Sequence, residues 1–345
     1  MNPFTVVSTF AGGGGSSTGY SMAGGKVLLA VEWDDNAVAT YKANYPDTPV
    51  YHGDISKLTV EEVLEITGLK PGELDIFDGS PPCQGFSTVG KRDFGDSRNQ
   101  LFREYVRLLR GLQPKVFVME NVSGMVKGGM KVIFAEILRE LKASGYDVSA
   151  RLMNAMYYGV PQNRQRMIFI GVRKDLGIIP SHPTPKTVPT TLKQSIGNLG
   201  NIQNQDTDHV WVDESPTGKN TKNYFRAVKV KQGTSYKPLR IRCEWDKPSP
   251  TITTGGGKLG IPPMLGNSHC HPEYTRTFSL LEYKRICSFP DDYLFPGLFP
   301  KNLVNGVFRM GNAVPPLLMK SVAEHIRDNI LARTKVAHNI HKVAQ

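Results

Sequence analysis

Apolar residues in the first 175 positions fall into short runs separated by amphipathic stretches. The runs Phe4 to Phe10, Val27 to Val31, Leu74 to Phe77, Val116 to Met119 and Met167 to Val172 are short and continuous, the pattern of buried strands. Between them, Asp35 to Asn44, Thr59 to Thr67, Asn99 to Leu112 and Met130 to Ser144 read as helices, and Thr59 followed by Glu62 has the form of a capping box. Strand and helix in alternation predict an α/β fold, a mostly parallel twisted sheet with helices on both faces.

From about residue 177 the texture changes. Pro, Thr, Asn, Gly and Lys dominate as far as 275 and no long amphipathic helix occurs, so a small, loop-rich, mainly β region is expected. Helical patterning returns at Ser279 to Ser288 and at Pro316 to Arg333. The expected organisation is a discontinuous large domain, residues 1–178 and 276–335, with a smaller one at 179–275 inserted and a tail at 336–345.

Composition narrows the class. With 39% hydrophobic residues in 345, the chain has the make-up of a water-soluble globular protein. It has no apolar run of bilayer-spanning length and no basic-then-apolar leader. A protein acting where it is made, in the cytoplasm, is expected. The four cysteines, at 83, 243, 270 and 287, show no Cys-x-x-Cys spacing, so neither zinc nor another metal is expected and the thiols should be reduced.

The net charge of +11 is uneven. Residues 1–180 carry 20 basic and 19 acidic side chains, whereas residues 215–258 carry ten basic ones against Glu244 and Asp246. Tyr224, Phe225, Tyr236 and Trp245 lie among them. Ordinary solvated faces mix signs, and a one-signed cluster with aromatics is the footprint of a polyanion, most simply nucleic acid.

Two segments suggest chemistry. Phe10-Ala11-Gly12-Gly13-Gly14-Gly15 follows the first strand run and precedes a short helix, and Glu32 ends the second run. Such glycines allow close backbone approach beside a helix N-terminus, and the acid can bind ribose hydroxyls, which indicates a nucleoside cofactor without naming it. The second segment is Asp78-Gly79-Ser80-Pro81-Pro82-Cys83-Gln84, where prolines restrict the approach to one cysteine. Alone, it reads first as a structural cysteine in a Pro-rich turn, with a held nucleophile as the alternative.

Taken in order, these segments resemble the C5-cytosine-specific DNA methyltransferase family over nearly the whole chain. FAGGGGSSTG is similar to its cofactor loop, Glu32-Trp33 to its acid–aromatic pair, and Gly53-Asp54-Ile55 to its adenine-side element. Pro82-Cys83-Gln84, Glu120-Asn121-Val122, Gln162-Asn163-Arg164-Gln165-Arg166, the stretch Arg276 to Tyr293 and Gly311-Asn312-Ala313-Val314-Pro315-Pro316 resemble its remaining motifs. One departure stands out: Ser8 takes a position where many members carry Asp.

The resemblance implies a Rossmann-like methyltransferase fold, S-adenosylmethionine as cofactor and double-stranded DNA as substrate. It implies Cys83 as nucleophile toward cytosine carbon 6, Glu120 at the ring N3, Arg166 on the base and Arg164 orienting the catalytic loop. Phe10, Ala11, Gly12, Gly13, Gly15, Glu32, Trp33, Asp54, Ile55, Pro82, Leu101, Asn312, Ala313 and Val314 are the implied cofactor contacts. DNA contacts are expected from Ser87, Lys91, Arg92 and Arg98 on a polar loop, and from Arg240 and Arg242 in the basic stretch. Thr251 and Ile252 resemble a recognition-domain pair, and Gln232 and Gly233 are assigned to the gap left by the extruded base. A monomer is expected, from a bacterium or phage, near the nucleoid, with a restriction endonuclease acting on the same site as a candidate partner. Two rival readings share most of these motifs: a methyltransferase acting on transfer RNA and a catalytically silent DNA-binding relative.

Overall fold

The structure, a computed structural model, describes residues 3–82, 97–128, 130–200, 235–236, 240–254, 269–273, 278–296 and 301–334. The chain divides into two compact units. The first comprises Met1–Met153, Gln165–Thr184 and Met319–Gln345, and the second Asn154–Arg164 and Pro185–Leu318.

In the first unit, β1 (Phe4–Thr9), β2 (Gly25–Glu32), β3 (Val50–His52), β4 (Ile76–Gly79), β5 (Val116–Val122), β6 (Tyr146–Asn154) and β8 (Gln165–Arg173) form one sheet. Its order is β3-β2-β1-β4-β5-β8-β6. The helices are α1 (Gly15–Met22), α2 (Asp35–Asn44), α3 (Val60–Thr67), α4 (Ser97–Leu112) and α5 (Met130–Ala143). The order reverses between β1 and β4, so the crevice at their carboxyl ends is where a parallel sheet binds ligands. Thr59 caps α3 in the expected box with Glu62, and Gly68 ends it in the left-handed conformation.

Alternate strand residues face opposite sides. Val7, Leu29, Phe77, Phe117 and Phe169 form one core with Val63 of α3, Leu109 of α4 and Ile137 of α5. Tyr105 of α4 stacks on Phe77 with ring centroids 4.8 Å apart. On the other side, Ala30 of β2 packs with Tyr41 of α2. Each such fully buried large apolar side chain contributes roughly 1.5–3 kcal/mol.

The sheet is mostly parallel, as expected, but β8 runs antiparallel to β5, pairing Val116 with Val172 and Val122 with Arg166. It returns from β6 without a crossover helix, and such a return reverses direction. β3 and β6 lacked a continuous apolar run to announce them, since Asp147, Ser149 and Arg151 interrupt β6 and most of its positions are half-buried or exposed. No helix among the described residues is long and apolar enough to cross a membrane.

The second unit contains β7 (Gln162–Asn163), parallel to β11 (Ser249–Pro250). It also holds a small sheet of β9 (Ser235–Tyr236), β10 (Arg240–Arg242) and β12 (His269–Cys270). Its helices are α6 (Leu192–Ile196), α7 (Leu280–Ile286) and α8 (Lys301–Asn312). Within this unit Arg285 of α7 donates to the Ser195 carbonyl of α6 at 3.3 Å and to Asn198 Oδ1 at 3.0 Å. α8 was missed in the sequence, where its two glycines weaken helical patterning. α9 (Pro316–Ile326) begins at the unit boundary, and beyond it Arg327 donates to the Ala23 carbonyl within the first unit.

Candidate active site

At the carboxyl end of β1 the chain enters the glycine loop under strain. Phe10 has φ of 53°, a left-handed conformation that costs a non-glycine residue energy and clusters at functional sites. Gly12 and Gly14 follow at 56° and 89°, and Gly15 opens α1. A Cβ on Gly12 would meet no protein atom within 4 Å, so this backbone borders open space. Ala11 and Gly13 are buried, with Ala11 packed against Ala30 and Tyr41.

Glu32, at the tip of β2, is buried and holds this loop. Its Oε2 accepts from Gly12 N at 2.7 Å, while Oε1 accepts from Trp33 N and Asp34 N. Trp33 beside it is 77% exposed, an uncovered aromatic face on which a planar base can stack. Asp54 is exposed and caps the turn at Ile55, and the Ser56 backbone N–H holds its carboxyl below the usual range. Arg107 of α4 donates to the carbonyls of Ile55 and Leu58 at 3.1 and 2.7 Å, fixing that turn. Leu101 packs half-buried on the core. Glycine cradle, ribose-side acid and open indole fit a nucleoside cofactor.

Around β4 and β5 the reaction residues begin to converge. Glu120 and Arg166 form an ion pair, Nε to Oε1 at 2.7 Å, with both side chains largely buried. The pair arises because the antiparallel register sets Arg166 opposite Val122, two residues beyond Glu120. Asn121, to which the sequence reading gave no role, donates from Nδ2 to the Pro81 carbonyl at 3.1 Å, pinning the chain two residues before Cys83. Pro81 is buried and Pro82 exposed. Asp78, also overlooked, is 2% exposed, and burial pushes its carboxyl up to about 7 against the opposing hydrogen bonds from Ser8 and Tyr20. Position 83 itself lies outside the described residues, as do Ser87, Lys91, Arg92, Gln232 and Gly233. Arg98 and Arg240 are described only by their places in α4 and β10.

Arg164, in the second unit, is 1% exposed. It donates to the carbonyls of Ile252 at 2.9 Å, Gly311 at 2.7 Å and Ala313 at 2.9 Å. One guanidinium therefore ties three motifs far apart in sequence, and its described partners are these carbonyls. Gln162 completes the clamp, with Oε1 accepting from Ile252 N at 3.2 Å and Nε2 reaching Cys287 Sγ at 3.3 Å. Burial pushes the Cys287 thiol up to about 12, which leaves it inert. Asn312 is exposed at the end of α8, whereas Val314 is buried.

Two residues expected at the DNA have protein partners here. Ile252 is wholly buried, with both backbone groups engaged, so its side chain serves packing. Arg242 donates from Nη1 to the carbonyls of Pro272 and Glu273 at 3.1 and 3.3 Å. Thr251 is half-buried and donates to the Asn163 carbonyl at 2.6 Å, joining β11 to β7. Among the described residues no group of three His, Cys, Asp or Glu is placed to hold a metal ion.

A mostly parallel sheet reversed at one strand, with a strained glycine loop and a carboxylate at the β2 tip, has the Rossmann-like methyltransferase fold. The chain belongs to the C-5 cytosine-specific DNA methylase family, whose model matches residues 4–328, and it is a DNA (cytosine-5-)-methyltransferase. It is 34% identical over 338 residues to the Type II methyltransferase M1.HphI of Haemophilus parahaemolyticus, covering 93% of this chain and 86% of the relative. It is 34% identical over 357 residues to M.NgoPII of Neisseria gonorrhoeae, covering 95% and 97%. Among solved structures, a prophage-encoded DNA modification methyltransferase from E. coli has a TM-score of 0.74 at 25% identity, covering 95% and 99% of the two chains. DNMT2 of Spodoptera frugiperda shares the fold at a TM-score of 0.65 and 19% identity, covering 94% and 98%.

Proposed function

We propose that this enzyme uses S-adenosylmethionine to methylate carbon 5 of a cytosine extruded from a specific duplex DNA sequence, through a covalent bond from Cys83. The observation that carries the reading is the Glu120–Arg166 pair on the sheet face beside the strand that leads to Cys83. Cytosine presents O2, N3 and its amino group along one edge. A guanidinium matches O2, and the adjoining carboxylate matches the amino group and a proton held on N3.

Cys83 Sγ adds as thiolate to carbon 6, which makes carbon 5 enamine-like and nucleophilic. Glu120 holds the proton at N3, removing the charge that the addition would otherwise leave on the ring. Arg166 fixes the base through O2. After transfer a base takes the carbon-5 proton, and the sulfur leaves with the electrons of its bond to carbon 6. The cofactor, when bound, supplies the electrophilic methyl group. The glycine loop, Glu32, Trp33, Asp54 and Ile55 are the residues that hold it.

A stacked base is out of reach of a thiol, so extrusion costs about a few kcal/mol before chemistry begins. We assign duplex reading to the region 179–275 with its basic stretch. Neutralising Lys219, Lys222, Lys229 and Lys231 together is expected to weaken duplex binding and to lower the slope of log K against log salt by up to about 4. An unchanged slope places the DNA elsewhere. The Type II relatives support a cytoplasmic, restriction-modification setting, with an endonuclease cutting the same site when unmethylated.

Duplex carrying 5-fluorocytosine tests the mechanism. The fluorine cannot leave as a proton does, so enzyme, cofactor and duplex should form an adduct that survives denaturation. No adduct in the presence of cofactor overturns the covalent route. Adduct with 5-fluorocytosine transfer RNA and none with duplex favours the RNA reading.

A further inference from the structure

Ser8 and Asp78 face each other in the parallel register of β1 and β4. The Ser8 hydroxyl donates to Asp78 Oδ2 at 2.9 Å, and the Tyr20 hydroxyl of α1 donates to Oδ1 at 3.0 Å. Thr9 Oγ1 donates to the Asp78 carbonyl at 3.0 Å. Ser8 and Tyr20 are wholly buried. The charge of Glu120 on β5 also acts on this carboxyl, and Tyr105 of α4 feels it in turn. A carboxyl sealed among hydroxyls is costly to bury, and the reaction proposed above makes no use of it.

Its position in the chain suggests its use. Ser8 stands two residues before Phe10, where the glycine loop starts, and Tyr20 lies on the helix into which that loop runs. Asp78 precedes Cys83 by five residues. We propose that Asp78 is a positioning residue for methyl transfer: through Ser8 and Tyr20 it locks the root of the Cys83 loop to the cofactor loop and α1. The proposal rests on the assignment of Cys83 as nucleophile and of the glycine loop as the cofactor site. It also bears on the departure at position 8, where a hydroxyl here faces a carboxyl on the adjoining strand.

The two side chains can be exchanged in the laboratory. D78S and S8D are each expected to weaken binding of S-adenosylmethionine by about tenfold or more, measured by calorimetry without DNA, and to lower kcat by a similar factor. KM for duplex should stay within about twofold. The double variant S8D/D78S is expected to recover both quantities to within about threefold of wild type. D78N keeps the shape and an acceptor for Tyr20, and should retain most cofactor affinity even if a single exchange variant does not fold. A double variant no better than D78S, or D78A that melts earlier yet binds cofactor and turns over as wild type does, overturns the proposal. The wild-type adduct with 5-fluorocytosine duplex tests the underlying reading separately, because it does not depend on any substitution at 8 or 78.

Discussion

A Cys83→Ser enzyme is expected to transfer no measurable methyl group while binding its duplex within about threefold of wild type. A thiol of ordinary pKa is already about 3% thiolate at neutral pH, and a neighbouring cation raises that share. A serine hydroxyl ionises so far above this range that no comparable nucleophile exists. The substitution changes one atom and leaves the approach intact, because the Pro81 carbonyl is still held by Asn121 and Asp78 by Ser8 and Tyr20. Methyl incorporation and duplex binding measured on the same preparation separate chemistry from folding. Substantial turnover by the variant would remove Cys83 from the mechanism.

Arg164→Met is expected to destabilise the protein by about 3 kcal/mol or more, since it deletes charged hydrogen bonds to three carbonyls and leaves those carbonyls buried. Calorimetry should show the first unfolding transition lowered by roughly 6–12 °C. The damage should spread, because the same guanidinium holds Ile252 and the C-terminal end of α8. Proteolysis near residues 251–254 and 311–315 should therefore speed up as the melting point falls. A methionine variant within about 1 kcal/mol of wild type would show that packing alone holds these segments together.

Much of the first unit was readable because its signals are local. β1, β2, β4 and β5 carry short apolar runs, α2 has the bounds expected, and Thr59 with Glu62 forms the box its spacing announced. Glu32 at the β2 tip follows from the same reading, as a strand end places a carboxylate at the ligand edge. What escaped notice depends on partners distant in sequence. Nothing local in Asp78 distinguishes a capped turn from a carboxyl sealed beneath the cofactor loop. The full burial of Ile252 has no local signal, and α8 is hidden by its glycines.

The amino-acid sequence by itself determined the strand–helix alternation, the glycine loop with its acid at the β2 tip, and the family. These depend on residue type and short spacing, which a chain carries whether folded or not. Tertiary structure alone decided that β8 runs against its neighbour, that Arg166 thereby meets Glu120, and that Arg164 clamps three distant motifs. It also decided that the Ser8 hydroxyl of β1 meets the Asp78 carboxyl of β4. The reason is physical: strand direction and buried polar pairing are settled by which backbone groups and charges must find partners once water is excluded, and those partners lie dozens of residues apart.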